Sequence, residues 1–379
     1  MKSIGKVKNC FGCGVCAAAC PKQCISIELN KSGFYEPIVD NNTCINCGIC
    51  LKVCSFKNDF EIESMPISCY ESWSKDHKVR HNTSSGGIGF ELARMFLNKG
   101  FQIILARYNV NKEIVEHYIA TDEDSLTQSM GSKYIQSYTL NALKALDLKR
   151  KTFISGTPCQ IASIRRWIRL KNVEENFVLM DFFCHGVPSA LAWKNYLAIY
   201  RKTTGRLISA SWRDKDTNWQ DSWALKLSGE KGNIHIRRSE GDLFYSFFLG
   251  GWCMNPACRK DCKFKYNKSS ADIRIGDLWG NKYEKDKEGV SACVAFTDKG
   301  EEIIQSLESC TKIPSTFDIV AQGQMKKNAK GAWLSPFVMN KLQHNRFLSK
   351  KEWNIYFRME YYLHVPFLVF TKIRNLLRV

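Results

Sequence analysis

The sequence predicts a small α+β module at the front of a larger α/β domain. Three observations lead there. First, a run with Cys10, Cys13, Cys16 and Cys20 repeats 34 positions later as Cys44, Cys47, Cys50 and Cys54. Second, between about residue 100 and residue 300 short apolar runs alternate with stretches of helical periodicity, as in an α/β sheet. Third, apolar residues make up 44% of the chain and aromatic residues 12%, which is the composition of a packed protein.

Both cysteine runs read C-x2-C-x2-C-x3-C, the bacterial ferredoxin spacing for a [4Fe–4S] cluster. Three thiolates grip three corners of a cube, and in two-cluster proteins the fourth ligates the other cluster. Cys10, Cys13, Cys16 and Cys54 are therefore assigned to one cluster, and Cys44, Cys47, Cys50 and Cys20 to the other. Gly12, Gly14 and Gly48 suit a backbone that bends round such a cube. Zinc favours two separated pairs of ligands, and disulfides need an oxidising compartment. With no secretory signal before the first cysteine and 17 cysteines in all, a reducing cytoplasm is expected. Residues 1–60 form this α+β ferredoxin-like module, with a strand over 24–29 and a turn at Lys31–Gly33. Cys24, Cys69, Cys293 and Cys310 fall outside the pattern and read as small core residues.

A linker is expected from Asn58 to Pro66. Ser84, Ser85, Gly86 and Gly87 form a glycine-rich turn into a helix that starts near Phe90. Such a turn favours phosphate, or else simply caps the helix through Ser84 or Ser85. Strands are expected at 101–106 and 114–119, then Gly131–Ser137 leading into a helix from Leu140. A strand at 152–155 turns through Gly156, Thr157, Pro158, Cys159 and Gln160 into a helix. A strand at 177–183 turns through Cys184, His185 and Gly186 into another. Ligands in such sheets sit at the C-terminal ends of the strands. Farther on come a hairpin around Gly229 and Gly232, strands at 272–276 and 290–296, and a helix from Gly300. Cys159 and Cys184, with two of Cys253, Cys258 and Cys262, would make a third four-thiolate site. A nucleophilic Cys159 and a zinc half-site at Cys258 and Cys262 are the competing readings.

The net charge is +18, and the last 57 residues carry eleven Lys or Arg against Glu352 and Glu360, half of the excess. Such charge suits nucleic acid, an anionic membrane face or an acidic partner. No nucleic-acid-binding signature is present, so nucleic acid is not an expected partner. No run of 18 apolar residues offers a membrane span. The basic tail, 321–379, reads either as a docked helix with solvated charges or as a helix resting on anionic lipid.

In order along the chain, Ser84–Gly87, Gly131–Ser137, Gly156–Gln160, Phe183–Ser189, Trp212–Lys215, Cys262–Phe264, Asp272–Asp277 and Gly289–Ser291 carry a resemblance. The chain resembles the coenzyme F420 hydrogenase/dehydrogenase beta-subunit family, with a two-cluster ferredoxin module in front. The resemblance implies an FAD-binding α/β domain over 68–320 with a cluster of its own on Cys159, Cys184, Cys258 and Cys262. The family shows C-x2-C where this chain has C-x3-C, so Cys253 competes for the fourth position. Flavin contacts would come from Ser84, Ser85, Gly86 and Gly87, from Ser132 and Lys133, and from Gly156, Thr157, Pro158 and Gln160. His185 is a candidate proton donor, with a structural hydrogen bond as the competing use.

The implied function is an iron–sulfur flavoprotein oxidoreductase that exchanges electrons with a two-electron carrier and a redox partner, either ferredoxin or a subunit of a partner oxidoreductase. As the carrier, coenzyme F420 is not expected outside archaea and actinobacteria. Bacterial members accompany cell-surface polysaccharide biosynthesis, which would suit an enzyme at the inner membrane face. The alternative is a non-catalytic electron-transfer subunit or iron–sulfur binding protein feeding a partner enzyme.

Overall fold

The computed structural model describes residues 3–7, 10–58, 65–221 and 223–376. Most of the expected linker, residues 59–64, lies outside these residues, as do the side chains of the tail beyond Leu363. In the front module the strands β1 (Ile25–Leu29) and β2 (Tyr35–Val39) pair antiparallel, with Ile25 opposite Val39. Two one-turn helices, Val15–Ala18 and Ile49–Lys52, carry the third cysteine of each run. Gly14 and Gly48 precede them with φ near +75°, which favours glycine.

The body is a nine-stranded sheet. Its strands are β3 (Ser68–Ser74), β4 (Gln102–Asn109), β5 (Ile114–Ala120), β6 (Ser137–Tyr138), β7 (Thr152–Ser155), β8 (Phe177–Phe182), β12 (Ile273–Asp277), β13 (Ser291–Ala295) and β14 (Cys310–Ser315). Their order is β14-β3-β13-β12-β8-β7-β4-β5-β6. β9 (Leu207–Ser211), β10 (Ala224–Gly229) and β11 (Asn233–Arg237) form a separate antiparallel sheet that contains the expected hairpin.

The sheet is mixed, which corrects the expectation of simple α/β alternation. Only β4, β7, β8 and β12 form a continuous parallel run. Antiparallel β13, β3 and β14 extend one side of it, and β5 the other. The polar alternation of β3 hides it in the sequence: Glu71, Ser72 and Ser74 are buried yet hydrogen-bonded.

Helices Ile88–Asn98, Pro158–Leu170 and Ala190–Thr204 follow the expected pattern. The first is not capped by Ser84 or Ser85. Its N-cap is Gly87, at φ +87° with no side-chain cap. The tail folds into Ser335–Gln343 and Lys350–Leu376. Trp353 and Tyr356 join Trp193, Tyr196 and Phe244 in one core, and Asn195 clasps both backbone groups of Leu348 at 2.8 and 2.9 Å. The helical tail is therefore packed on helices of the body, with an outer side left open.

Ile154, Ile161 and Trp167 of the body share a core with Val15, Ile25 and Val53 of the front module. Polar clasps secure this seam. Gln136 accepts the Tyr35 N–H at 2.9 Å and donates to the Phe11 carbonyl at 2.9 Å, while Thr139 donates to the Cys13 carbonyl at 2.7 Å.

Candidate functional site

The cysteines gather in three quartets. Burial and mutual proximity set their acidity. Burial, with Cys13 and Cys54 nearby, pushes the Cys10 thiol up to about 12. Burial and Cys54 push Cys13 up to about 11, and Cys16, buried beside Cys13, Cys10 and Cys54, is pushed well above the ordinary thiol range. Cys20, Cys44, Cys47 and Cys50 line a second small cavity, and Cys47 is exposed. In the third group, Cys159 is raised by burial and by Cys258 and Cys184, while Cys258 is pushed to about 12 by burial and by Cys184 and Cys262. Thiols buried together as in the first and third quartets ionise poorly alone, and iron relieves that cost, so both fit thiolate-bound clusters. Among the described residues no three metal-binding side chains converge on one ion-sized point. The second quartet fits a cluster through the cavity its four cysteines share.

The quartets lie in sequence through the protein. Cys16 is within reach of Cys50, which joins the first quartet to the second. Cys159 is within reach of Cys13, which joins the first to the third. Between first and third lies an apolar plug of Phe11, Phe56 and Phe264, with Phe11 centred 5.3 Å from Phe56 and 6.3 Å from Phe264. Ser55 bridges the same seam by donating to the Cys159 carbonyl at 3.0 Å.

Cys253 stands apart from all three quartets. It sits in the aromatic core with its thiol raised to about 12 by burial alone. Cys258, not Cys253, therefore accompanies Cys159, Cys184 and Cys262. Cys24 is buried in the core as expected, with its sulfur 3.4 Å from that of Cys20, and it also lines the second cavity. Cys69, Cys293 and Cys310 are buried in the sheet as expected.

Above the third quartet a cleft opens at the C-terminal ends of β7, β8 and β12, where parallel sheets bind ligands. It encloses about 1640 Å³ of empty space, its open mouth included. Cys159, Cys184 and Cys258 line it, together with Ser84, Ser85, Gly87, Ser132, Lys133, Gly156, Thr157, Gln160 and His185. Gly86 and Pro158 do not. A Cβ on Gly86 would meet the Ser72 carbonyl at 2.4 Å, so that glycine lets the turn lie against β3. Pro158 is buried in the first turn of its helix, where its missing N–H costs nothing.

Several polar groups in the cleft are committed to building it. Ser84 Oγ accepts the Ser132 N–H at 2.6 Å, and Ser85 donates to the Val290 carbonyl at 2.6 Å. Gln160 accepts the Thr157 N–H at 2.8 Å and donates to Ser137 Oγ at 3.0 Å, tying two loops together.

Lys133, His117 and His185 also face the cleft, and the two histidines each keep one nitrogen open to a ligand. Lys133 donates to the carbonyls of Ser129, Met130 and Gly131 at 2.7 to 2.9 Å and pairs with no carboxylate among the described residues. Burial pulls its ammonium down to about 7. His117 donates from Nε2 to the Ser155 carbonyl at 3.1 Å, and its buried Nδ1 has no partner. His185 hydrogen-bonds the Phe248 backbone, and its buried Nε2 has no partner. Burial lowers both imidazoles to about 4, so they are neutral at pH 7. His185 thus makes the structural hydrogen bond that the sequence favoured for it, and turns an open acceptor nitrogen to the cleft. Apolar and aromatic walls with a few unpaired polar groups suit a flavin with its phosphates.

The Trp212–Lys215 and Asp272–Asp277 motifs, to which the sequence assigned no role, supply the braces. Arg213 is fully buried, 2.6 Å from Asp277, and lies over Trp223 and Trp279 at 4.7 and 5.4 Å. Lys215 donates to the carbonyls of Arg80, Ser85 and Glu288, which holds the Ser84–Gly87 turn from behind. Arg274 and Asp181, both fully buried, pair at 2.7 Å across β12 and β8. Arg274 also holds the Tyr266 and Lys268 carbonyls at 2.7 and 2.8 Å, fixing the loop after Cys262. Lys265 on that loop donates to the Cys184 and His185 carbonyls at 2.6 and 2.8 Å.

Two regions of the chain are similar to known protein families. Residues 9–58 match the model of the 4Fe-4S dicluster domain. Residues 149–316 match the model for the C terminus of the coenzyme F420 hydrogenase/dehydrogenase beta subunit. A chain of the F420-reducing [NiFe] hydrogenase complex from Methanosarcina barkeri is 16% identical, with 76% of this chain and 90% of that one covered at a TM-score of 0.45. No curated protein matches the sequence. The chain thus joins a 4Fe-4S dicluster domain to a C-terminal region of the F420 hydrogenase/dehydrogenase beta-subunit family, and the resemblance read from its motifs stands.

Proposed function

We propose that this chain, a dicluster domain joined to a beta-subunit region, is an iron–sulfur and FAD-dependent oxidoreductase. The observation that carries the reading is the position of Cys159. It is within reach of Cys13 on one side and of Cys184 and Cys258 on the other, at the floor of the cleft. When bound, the clusters would supply single-electron transfer and the flavin two-electron transfer.

Cys10, Cys13, Cys16 and Cys54 would hold one cluster, Cys20, Cys44, Cys47 and Cys50 a second, and Cys159, Cys184, Cys258 and Cys262 a third. Exposed Cys47 puts the second quartet nearest to an outside redox partner, ferredoxin or another oxidoreductase. The phenylalanine plug keeps water from the seam between the first and third quartets. Lys133 would meet the anionic part of the flavin by giving up one of its three carbonyl partners. The open nitrogens of His117 and His185 would accept N–H or O–H groups from its ring or ribityl chain. A role in cell-surface polysaccharide biosynthesis rests on the family resemblance alone.

Anaerobic purification with iron, acid-labile sulfide and FAD quantitation tests the reading. About twelve irons and one FAD per chain are expected, at about four irons per cluster. Cys258→Ser is expected to bring the count to about eight, whereas Cys253→Ser leaves it unchanged. About eight irons in the unaltered chain would remove the third cluster. About twelve irons without flavin would favour the electron-transfer subunit over the enzyme.

A further inference from the structure

We infer that the outer face of the two tail helices beds on a bilayer surface rich in anionic lipid. This reading is independent of the flavin. Large apolar side chains are concentrated there in the open. Trp333 is 56% exposed, Phe337 52%, Tyr361 63% and Tyr362 69%. On the Lys350–Leu376 helix, Ile355, Met359 and Tyr362 are exposed at i, i+4 and i+7 and so share one face, while Trp353, Tyr356 and Glu360 turn inward.

The charge of this face is mostly positive. Lys341, Lys350, Lys351 and Arg358 flank the aromatic groups, and from Gly323 onward the sequence has only Glu352 and Glu360 as acids. Both acids are used within the fold. Glu360 accepts the N–H groups of Trp333 and Leu334 at 2.7 and 2.9 Å. Glu352 accepts the Ser349 N–H at 2.9 Å and pairs with Arg346 at 3.1 Å. Beside Trp333 and Tyr361 an open groove is lined by Arg259, Lys260 and Lys330, and the buried Arg259 Nε has no partner. Cationic donors beside amphipathic rings match a phosphate headgroup above acyl chains.

Other occupants fit less well. Protein interfaces deplete lysine at their centre, and a second copy would set positive charge against positive charge. Among the described residues no helix is long and apolar enough to cross a membrane, so the contact is with the surface.

The test is co-sedimentation of the full purified chain with phosphatidylcholine vesicles, with and without phosphatidylglycerol. Sedimentation only with phosphatidylglycerol, weakened by added salt, is expected. Lys350→Glu/Lys351→Glu/Arg358→Glu is expected to weaken binding at least about hundredfold, since each basic residue near such a surface contributes roughly fivefold. Trp333→Ser/Tyr361→Ser is expected to weaken it at low salt too. Iron content and circular dichroism report whether either variant is folded. Equal binding to both vesicles, or none, overturns the inference. So does light scattering that shows a dimer dispersed by the same substitutions, or capture by an acidic protein when vesicles are not bound.

Discussion

His117 shows what burial does to a single group in this cleft. Packed between strands with only the Ser155 carbonyl as partner, it is held neutral with a folded value near 4. The unfolded imidazole takes up a proton near 6.5, so between pH 6.5 and 4 the unfolded chain binds more protons than the folded one. Stability from this group is present above pH 6.5 and is lost as pH falls toward 4. His117→Phe is therefore expected to remove roughly 2 kcal/mol of the destabilisation seen on going from pH 7 to pH 5. Urea unfolding of both proteins at the two pH values measures it, and an unchanged pH response would show that His117 is solvated. The other histidine of the cleft, His185, could be read as a proton donor or as a structural hydrogen-bonding group. The partner that gives it the second use, the Phe248 backbone, comes from a chain segment far away in sequence.

At the scale of elements, the glycines of the cysteine loops do more than let the chain turn. Gly14 has φ +74°, and a Cβ there would come within 2.4 Å of Thr139 Oγ1, the group that donates to the Cys13 carbonyl. Room around a cube was the expectation, yet the tight neighbour is the body of the protein. Gly14→Ala is expected to cost about 1 to 2 kcal/mol from the left-handed backbone and to loosen the clasp at Thr139. A lower thermal midpoint and faster proteolysis between module and body would show both effects, and unchanged proteolysis would leave backbone strain alone. The Asp272–Asp277 stretch has a similar lesson. Its alternating charges marked a motif, and in the fold each has a buried structural partner. Asp272 binds Arg165 at 2.8 Å, Arg274 binds Asp181, and Asp277 binds Arg213. Strand β3 stayed hidden because Glu71, Ser72 and Ser74 break its apolar pattern, although they are buried and paired beside Cys69 and Tyr70.

Taken whole, the molecule is organised by its seam. The front module borrows Ile154, Ile161 and Trp167 to complete its core and packs Phe11 against Phe264. A fragment ending at Asn58 would expose that apolar surface to water. It is expected to aggregate, or to retain clearly fewer than about eight irons when reconstituted under argon. A soluble fragment with a full complement would show that the module folds without its partner surface. The same seam sets the first quartet beside both others: the second holds the exposed Cys47, and the third holds the floor of the cleft.

By itself the sequence determined what is local. Ligand spacing within each cysteine run, helix and strand periodicity, and glycine turns all act over a few residues, so they can be read along the chain. That is why the first two quartets, the hairpin at Gly229 and most strands and helices were legible. Tertiary structure decided what depends on distant segments meeting. It set Cys258, and not Cys253, beside Cys184 and Cys262, drew Gly86 and Pro158 back from the cleft, placed Lys215 behind the Ser84–Gly87 turn and gave His185 the Phe248 backbone as its partner. These outcomes rest on contacts across roughly 50 to 200 residues, where packing and desolvation, set by the whole fold, outweigh any local preference.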